Sequence, residues 1–409
     1  MTINRCFALA ASQLASRFFQ ALVGSEIRLE LPEATMKNAL IALLLMCCFK
    51  PLFAYGPDTV AFADRSLWPE TMNSTAAFDR ASRAEILVFA AALAKVAEQD
   101  AATLKTQLNI KQVDAASVAR VRNQLTAHLL QNWRFAAADC ANSEVFCDNI
   151  STADELLTAA EALAEKLPES YRNWHNKARV FHNSYAGELI RLAALFPKVS
   201  SEIDTLSALE NTGFELPDRH FLLTFDDGPS QPDGNTDTLL ALLTKNNLHA
   251  SFYMLGERLQ ARLKQAGPAT PATLFHGQCA AMHGWRHESH AKWEKWQISI
   301  IDTRDLVKAT FPRSYQPWFR PPYGQRRADS GDFFSKHDLK VALWNIDSQD
   351  WNSRVSGEDA AQRIMTLMLL WRRGVILFHD IHPKALVAVP WLLDHTRQTG
   401  VVWQDCRQY

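Results

Sequence analysis

Five short segments carry residue types that could do hydrolytic chemistry. Asp226-Asp227-Gly228-Pro229 sets two adjacent carboxylates at the end of an apolar run, and His283-Gly284-Trp285-Arg286-His287 spaces two imidazoles four residues apart. That spacing puts both rings on one face if the segment makes a helical turn. Arg320-Pro321-Pro322-Tyr323-Gly324 offers a guanidinium, which can hold a carboxylate through two hydrogen bonds, on a loop stiffened by two prolines. Asp347-Ser348-Gln349-Asp350-Trp351 and Leu377-Phe378-His379-Asp380 add carboxylates, an indole and a further imidazole. Metal-assisted hydrolysis needs two or three nitrogen or carboxylate ligands around an open position, a base for the water and an acid for the leaving group. Candidates for every role are present.

Singly, each segment also has an ordinary structural reading. Asp-Gly-Pro is common turn chemistry, and an aspartate after a strand more often caps than catalyses. His290, a third nearby imidazole, leaves open which two histidines would share a site.

Taken together and in order, the five segments resemble the polysaccharide deacetylases of the NodB-type carbohydrate esterase superfamily, over about residues 219–405. The resemblance implies a deformed (β/α) barrel and a divalent metal, usually zinc, held by an Asp-His-His triad, here Asp227, His283 and His287. It implies that Asp226 is the general base for the attacking water, that Arg320 orients Asp226, that His379 protonates the departing amine, and that Asp350 holds and tunes His379. The backbone N–H of Tyr323 would join the metal in stabilising the tetrahedral oxyanion, with Trp351 and Leu377 walling the acetyl pocket. Two positions depart from the family pattern. Gly284 stands where Ser or Thr usually follows the first histidine, leaving Arg286 or Glu288 to brace the loop, and Glu288 stands where a proline is often found.

The activity implied is metal-dependent removal of acetyl groups from N-acetylglucosamine-type residues of a polysaccharide or oligosaccharide. The alternatives are an O-acetyl esterase on a glycan such as acetylated xylan, a deformylase or amidase on a smaller substrate, and an inactive carbohydrate-binding or assembly protein.

Such residues must be positioned by regular elements. After Arg219, short β-like runs (221–225, 250–254, 341–344, 375–378) alternate with helical stretches (236–247, 256–266, 299–310, 357–372, 384–399). This alternation predicts a parallel α/β sheet or barrel, with functional residues at the strands' C-terminal ends, and the resemblance implies a catalytic domain over 219–409. Over residues 75–212 the pattern is helical, in segments near 75–108, 113–137, 151–166 and 168–196, and predicts a small antiparallel bundle. Thr152-Ala153-Asp154-Glu155 is a capping-box candidate there. No catalytic constellation lies in this helical module. His175 and His182 share a helical face and read as structural, and the module is a candidate surface for a protein partner.

The 409 residues suggest two or three domains at about 150 residues each. With 43 basic against 44 acidic residues the chain has no basic footprint for nucleic acid. Nine of the 12 tryptophans follow residue 219; Trp285, Trp293, Trp296 and Trp318 adjoin the motif loops and are candidates for the cleft. The apolar run Ala39–Phe49 is too short to span a bilayer and reads as the core of a signal peptide over 36–54, within a leader of 1–54 whose first 35 residues suggest an over-called start. The protein is therefore expected to be exported, with no permanent transmembrane segment. Beyond the leader, the four cysteines suit disulfides, Cys140 with Cys147 locally and Cys279 with Cys406 at long range.

Overall fold

The computed structural model describes residues 60–97, 99–141, 144–266 and 269–409. The leader expected over 1–54 lies outside them. Residues Thr59–Tyr409 form one compact unit. Among the described residues, no helix is long and apolar enough to cross a membrane.

The helical region comprises α1 (Thr75–Ala97), α2 (Ala101–Gln107), α3 (Ala115–Ala136), α4 (Ala153–Lys166) and α5 (Arg172–Leu195). The capping box forms at α4: Thr152 Oγ1 accepts the Glu155 N–H at 3.2 Å, and the Glu155 carboxylate accepts the Thr152 N–H at 3.0 Å. Pro168 then breaks the chain, and a 3₁₀ turn over Glu169–Tyr171 leads into α5. At the bundle's centre Glu85, with no exposed surface, accepts from Arg65, from Trp174 Nε1 at 3.1 Å, and pairs with His182 Nε2 at 2.6 Å.

The remainder alternates β and α. The strands are β1 (Glu210–Asn211), β2 (His220–Asp226), β3 (Ser251–Met254), β4 (Cys279–Met282), β5 (Tyr315–Phe319), β6 (Lys340–Ala342), β7 (Ile346–Asp347), β8 (Gly374–His379) and β9 (Val402–Trp403). Between and after them lie α6 (Asn235–Lys245), α7 (Gly256–Ala266), α8 (Ala269–Leu274), α9 (Trp296–Thr310), α10 (Gly331–Lys336), α11 (Gly357–Trp371) and α12 (Ala385–Thr396). All pairings are parallel, in the order β1-β6-β5-β4-β3-β2-β8-β7, with β9 also on β2. The edges β1 and β7 do not pair with each other among the described residues, so this is a half-barrel sheet, the deformed form of a (β/α) barrel.

Strands β4 and β5 carry little sequence signal. β4 is Cys-Ala-Ala-Met, without β-branched residues, and β5 contains Pro317 and meets β4 through a register shift. A proline inside a strand is accommodated where the ladder is irregular.

The helices and the sheet share a core through α11. Twelve of its 15 residues are buried, and from Ile364 to Trp371 every residue but Thr366 is apolar, as expected of a helix end enclosed on all sides. It packs against α1 and α3 of the bundle on one side and against β7, β8 and α12 on the other. Its last carbonyls, which have no intrahelical donors, are satisfied by the bundle: Ser82 Oγ donates to Leu369 O at 2.7 Å and Asn132 Nδ2 to Leu370 O at 3.1 Å. Trp371 Nε1 donates to Tyr185 Oη at 2.9 Å, and Arg372 bridges Asp79 of α1 and Asp218 before β2. Within the sheet Phe225 stacks on Phe252 and Phe378 at 5.1 and 5.9 Å.

Both expected disulfides form, Cys140–Cys147 and Cys279–Cys406, each with Cα atoms 6.0 Å apart. The second ties the first residue of β4 to the turn Cys406–Gln408, at the opposite end of the strand from His283.

Removing Glu85 would strand the buried Arg65 guanidinium and orphan His182 and Trp174. Glu85→Ala is therefore expected to cost about 3–5 kcal/mol, read as a lowered urea midpoint; an unchanged midpoint would remove this cluster from the fold's supports.

Candidate metal centre and active site

The site sits where the parallel strands end. His283, Arg320 and Asp380 are each the first residue past β4, β5 and β8, and each still donates its N–H to the neighbouring strand: His283 to Met254 O at 2.8 Å, Arg320 to Met282 O at 2.8 Å, Asp380 to Asp226 O at 3.2 Å. Asp226, last in β2, lies in register with His379, last in β8. Five segments far apart in sequence thus meet at one rim.

Asp227 turns out of β2 with φ 75°, a left-handed conformation that aspartate tolerates better than most residues. Its Oδ1 stands 3.4 Å from His283 Nε2 and 3.5 Å from His287 Nε2. His283 Nδ1 donates to the Arg320 carbonyl at 2.7 Å, so the ring presents Nε2 to the carboxylate. The three candidate ligand atoms lie within 4.8 Å of one another. Asp227 Oδ1 is buried and has no hydrogen-bond partner. An orphaned carboxylate oxygen is costly in isolation but is what a cation requires, and one carboxylate with two imidazoles is a set that suits a divalent metal. The residues therefore fit such an ion. Burial raises the Asp227 pKa, but the neighbouring His283, His379 and His287 imidazoles hold it well below the usual carboxylate range. Burial takes His287 down to about 4, so its ring is neutral near pH 7.

Asp226 lies alongside, 2% exposed. Its Oδ1 accepts from Arg320 Nη1 at 2.9 Å, while Oδ2 faces His283 Nε2 at 3.9 Å. Arg320 has no exposed surface. It also donates to Thr224 Oγ1 at 2.7 Å and to the carbonyls of Ala342 and Leu343, both at 3.2 Å, and its guanidinium lies 4.0 Å from the Tyr253 ring centroid. On the other flank His379 Nδ1 donates to Asp350 Oδ1 at 2.7 Å, and the His379 N–H to Asp350 Oδ2 at 2.9 Å. Burial pulls the His379 pKa down, but the Asp350 charge and hydrogen bond, with Asp227 and Asp226 beyond, outweigh it and lift the imidazole to about 10.

Tyr323, at φ 60° in the turn Pro322–Gly324, packs its exposed ring edge-on to His287 at 4.4 Å. Trp351 is also exposed, and Leu377 is buried on β8 beside Asp347. His290 stays outside the triad, with Nδ1 bonded to Glu288 O at 2.8 Å and Nε2 to Ser299 Oγ at 3.0 Å. Arg286 reaches outward to Glu257 at 3.3 Å. Besides this Arg286–Glu257 pair, the turn after His283 is held by backbone bonds to the α7 N-terminus and by Ser299. Trp296 and Trp318, candidates for the cleft, are buried: Trp296 packs on Phe333, and Trp318 stacks on Tyr409 at 5.4 Å. A separate cavity of about 690 Å³, lined by Pro229, Ser230, Gln231, Asn235, Glu257 and Arg258, begins two residues beyond Asp227.

Two supporting residues, Thr224 and Asp380, have no role assigned from the sequence. Thr224 is a hydroxyl in an otherwise apolar strand, a detectable signal; it donates to Ile376 O at 2.7 Å and accepts from Arg320. Asp380, pushed up to about 7 by burial, accepts from Thr236 Oγ1 at 2.7 Å. Thr236 in turn accepts the Ser230 N–H at 2.7 Å, which pins the loop carrying Asp227 to the end of β8.

With its pKa raised above the unfolded value of about 6.5, His379 contributes stability that is complete below that pH and is lost as pH rises through about 10. In chelator-treated protein, imidazole NMR should find His379 protonated well above pH 8, and Asp350→Asn should bring its titration down to about 6.5 or lower. Identical titration in both proteins would sink this account.

Comparison with known proteins gives the site its context. Residues 214–342 match the polysaccharide deacetylase family. The chain is 32% identical over 185 residues to a peptidoglycan-N-acetylmuramic acid deacetylase of Bacillus subtilis, covering 44% of this chain and 36% of that one. It is 28% identical over 221 residues to a peptidoglycan-N-acetylglucosamine deacetylase of Bacillus cereus, covering 52% and 77%. Among solved structures, a peptidoglycan N-acetylglucosamine deacetylase aligns over 49% of this chain and 92% of that one, at 21% identity and a TM-score of 0.43. The chain thus spans about a third of the length of the first of these relatives. The matched segment holds Asp226, Asp227, His283, His287 and Arg320, while Asp350 and His379 reach the same rim from beyond it. By this segment the chain is similar to the polysaccharide deacetylase family, whose model matches residues 214–342.

Proposed function

We propose that the protein hydrolyses the acetamide of N-acetylglucosamine-type residues in a polysaccharide or oligosaccharide, with zinc as the resident cation on Asp227, His283 and His287. The observation that carries this reading is the orphaned Asp227 Oδ1 between two imidazole nitrogens, with a carboxylate on one side and a held imidazole on the other. Bound there, a divalent cation supplies Lewis acidity toward the acetamide oxygen and toward water.

The residues divide the proton work. Arg320 occupies Asp226 Oδ1, leaving Oδ2 to take a proton from the attacking water. The water oxygen bonds to the acetamide carbon, and the Tyr323 N–H stabilises the oxyanion that forms. His379, kept protonated by Asp350, gives its proton to the sugar nitrogen as the C–N bond breaks, releasing acetate and a free amine. Trp351 and Leu377 wall the acetyl methyl. Two relatives, named as deacetylases of N-acetylated peptidoglycan sugars, support an acetamido substrate. Such glycans lie outside the cytoplasm, which accords with the leader-like segment 36–54 and with two disulfides.

Acetate release from chitooligosaccharides, peptidoglycan and acetylated xylan tests the reading. Asp226→Asn is expected to retain zinc and lose turnover by about 10²–10⁴-fold, whereas His283→Ala is expected to lose the metal as well. Full activity of metal-loaded Asp226→Asn would refute the base assignment, and turnover on xylan alone would refute the substrate class.

A further inference from the structure

The two histidines of the triad are held by different means. His283 leaves β4 directly and is fixed through Nδ1 on the Arg320 carbonyl. His287 lies four residues on, outside any helix or strand, with its side chain 31% exposed. The loop itself must therefore set the separation of the two rings.

That loop is tied on both sides of His287. On the upstream side the carbonyls of Gly284 and Trp285 accept the N–H groups of Gly256 and Glu257, both at 3.0 Å, and the Trp285 N–H donates to Ser299 Oγ at 2.7 Å. On the downstream side His290 bonds to the Glu288 carbonyl at 2.8 Å and to Ser299 Oγ at 3.0 Å. A carbonyl only accepts, so Nδ1 carries the proton and Nε2 accepts from the Ser299 hydroxyl. One chain of hydrogen bonds then runs from Trp285 N–H through Ser299 and His290 to Glu288 O, bridging the loop across His287. Both side-chain members are buried, His290 at 1% and Ser299 at 2% exposure. Gly284 is matched to this arrangement. It adopts φ +87°, and a Cβ there would lie 2.5 Å from His290 Cε1 and 2.7 Å from Nε2. The glycine makes room for the ring, and the ring supplies the brace.

We propose that His290 and Ser299 are positioning residues for the metal centre, clamping the turn so that His287 Nε2 stands opposite His283 Nε2 before a cation arrives. This rests on the reading of Asp227, His283 and His287 as metal ligands.

Zinc affinity of the full chain, measured against a chromophoric chelator, tests the proposal, together with the absorption of the cobalt-substituted protein. His290→Ala and Ser299→Ala are each expected to weaken zinc binding by about 10–100-fold and to alter the cobalt spectrum. The double variant should lose little more than either single one, since both break the same chain. Gly284→Ala should weaken binding less on the His290→Ala background than alone, because the contested space is then empty. In the metal-free protein, Ser299→Ala should also speed hydrogen exchange at the Trp285 amide. Unchanged zinc affinity in both single variants, with zinc lost in His283→Ala, would overturn the brace and leave the ligands standing. Unchanged affinity in His283→Ala would overturn the ligand assignment and the brace together.

Discussion

The site depends on one buried cation. Arg320 has no solvent contact, and a guanidinium so placed must have all its donors answered. It spends them on Asp226, Thr224 and the carbonyls of Ala342 and Leu343, which belong to or follow β2 and β6, while its own carbonyl receives His283. The same residue therefore orients a carboxylate on one strand and an imidazole on another. Desolvation makes this arrangement stiff. Shifting Asp226 or His283 would leave a buried charge or carbonyl unanswered.

Around that centre, pairs of residues divide the labour. Asp350 commits both carboxylate oxygens to His379, one to the ring and one to the backbone N–H. Asp380 and Thr236 hold the loop that carries Asp227, and the α7 N-terminus receives the carbonyls after His283. Tyr323 and Trp351 remain exposed.

The helical region and the sheet are joined by α11, whose apolar surface is covered from both sides. Ser82 and Asn132 reach from the bundle to its last carbonyls, and Arg372 clasps Asp79 and Asp218 just beyond. The bundle thereby completes a helix whose following strand ends in His379. Polar residues inside the bundle, such as Glu85 on α1 with His182 on α5 and Arg65 in the 3₁₀ turn ahead of α1, do structural work of the same kind.

Much was legible before any coordinates. The long helices, the strands rich in β-branched and aromatic residues, the capping box at Thr152 and the five motif segments all carry local signals, because helical period, turn chemistry and side-chain type are properties of neighbouring residues. Strands β4 and β5 did not declare themselves: one is built of small residues and the other contains Pro317, so their identity comes from the neighbours they pair with. Likewise Trp296 and Trp318 adjoin motif loops in sequence but point into packing. The order and types of Asp226, Asp227, His283, His287, Arg320, Asp350 and His379 were determined by the sequence alone. Only the tertiary structure decided that His287 and not His290 faces Asp227, and that the glycine after His283 makes room for an imidazole. Those outcomes turn on which groups share a volume of a few ångströms, and spacing along a chain does not specify volume.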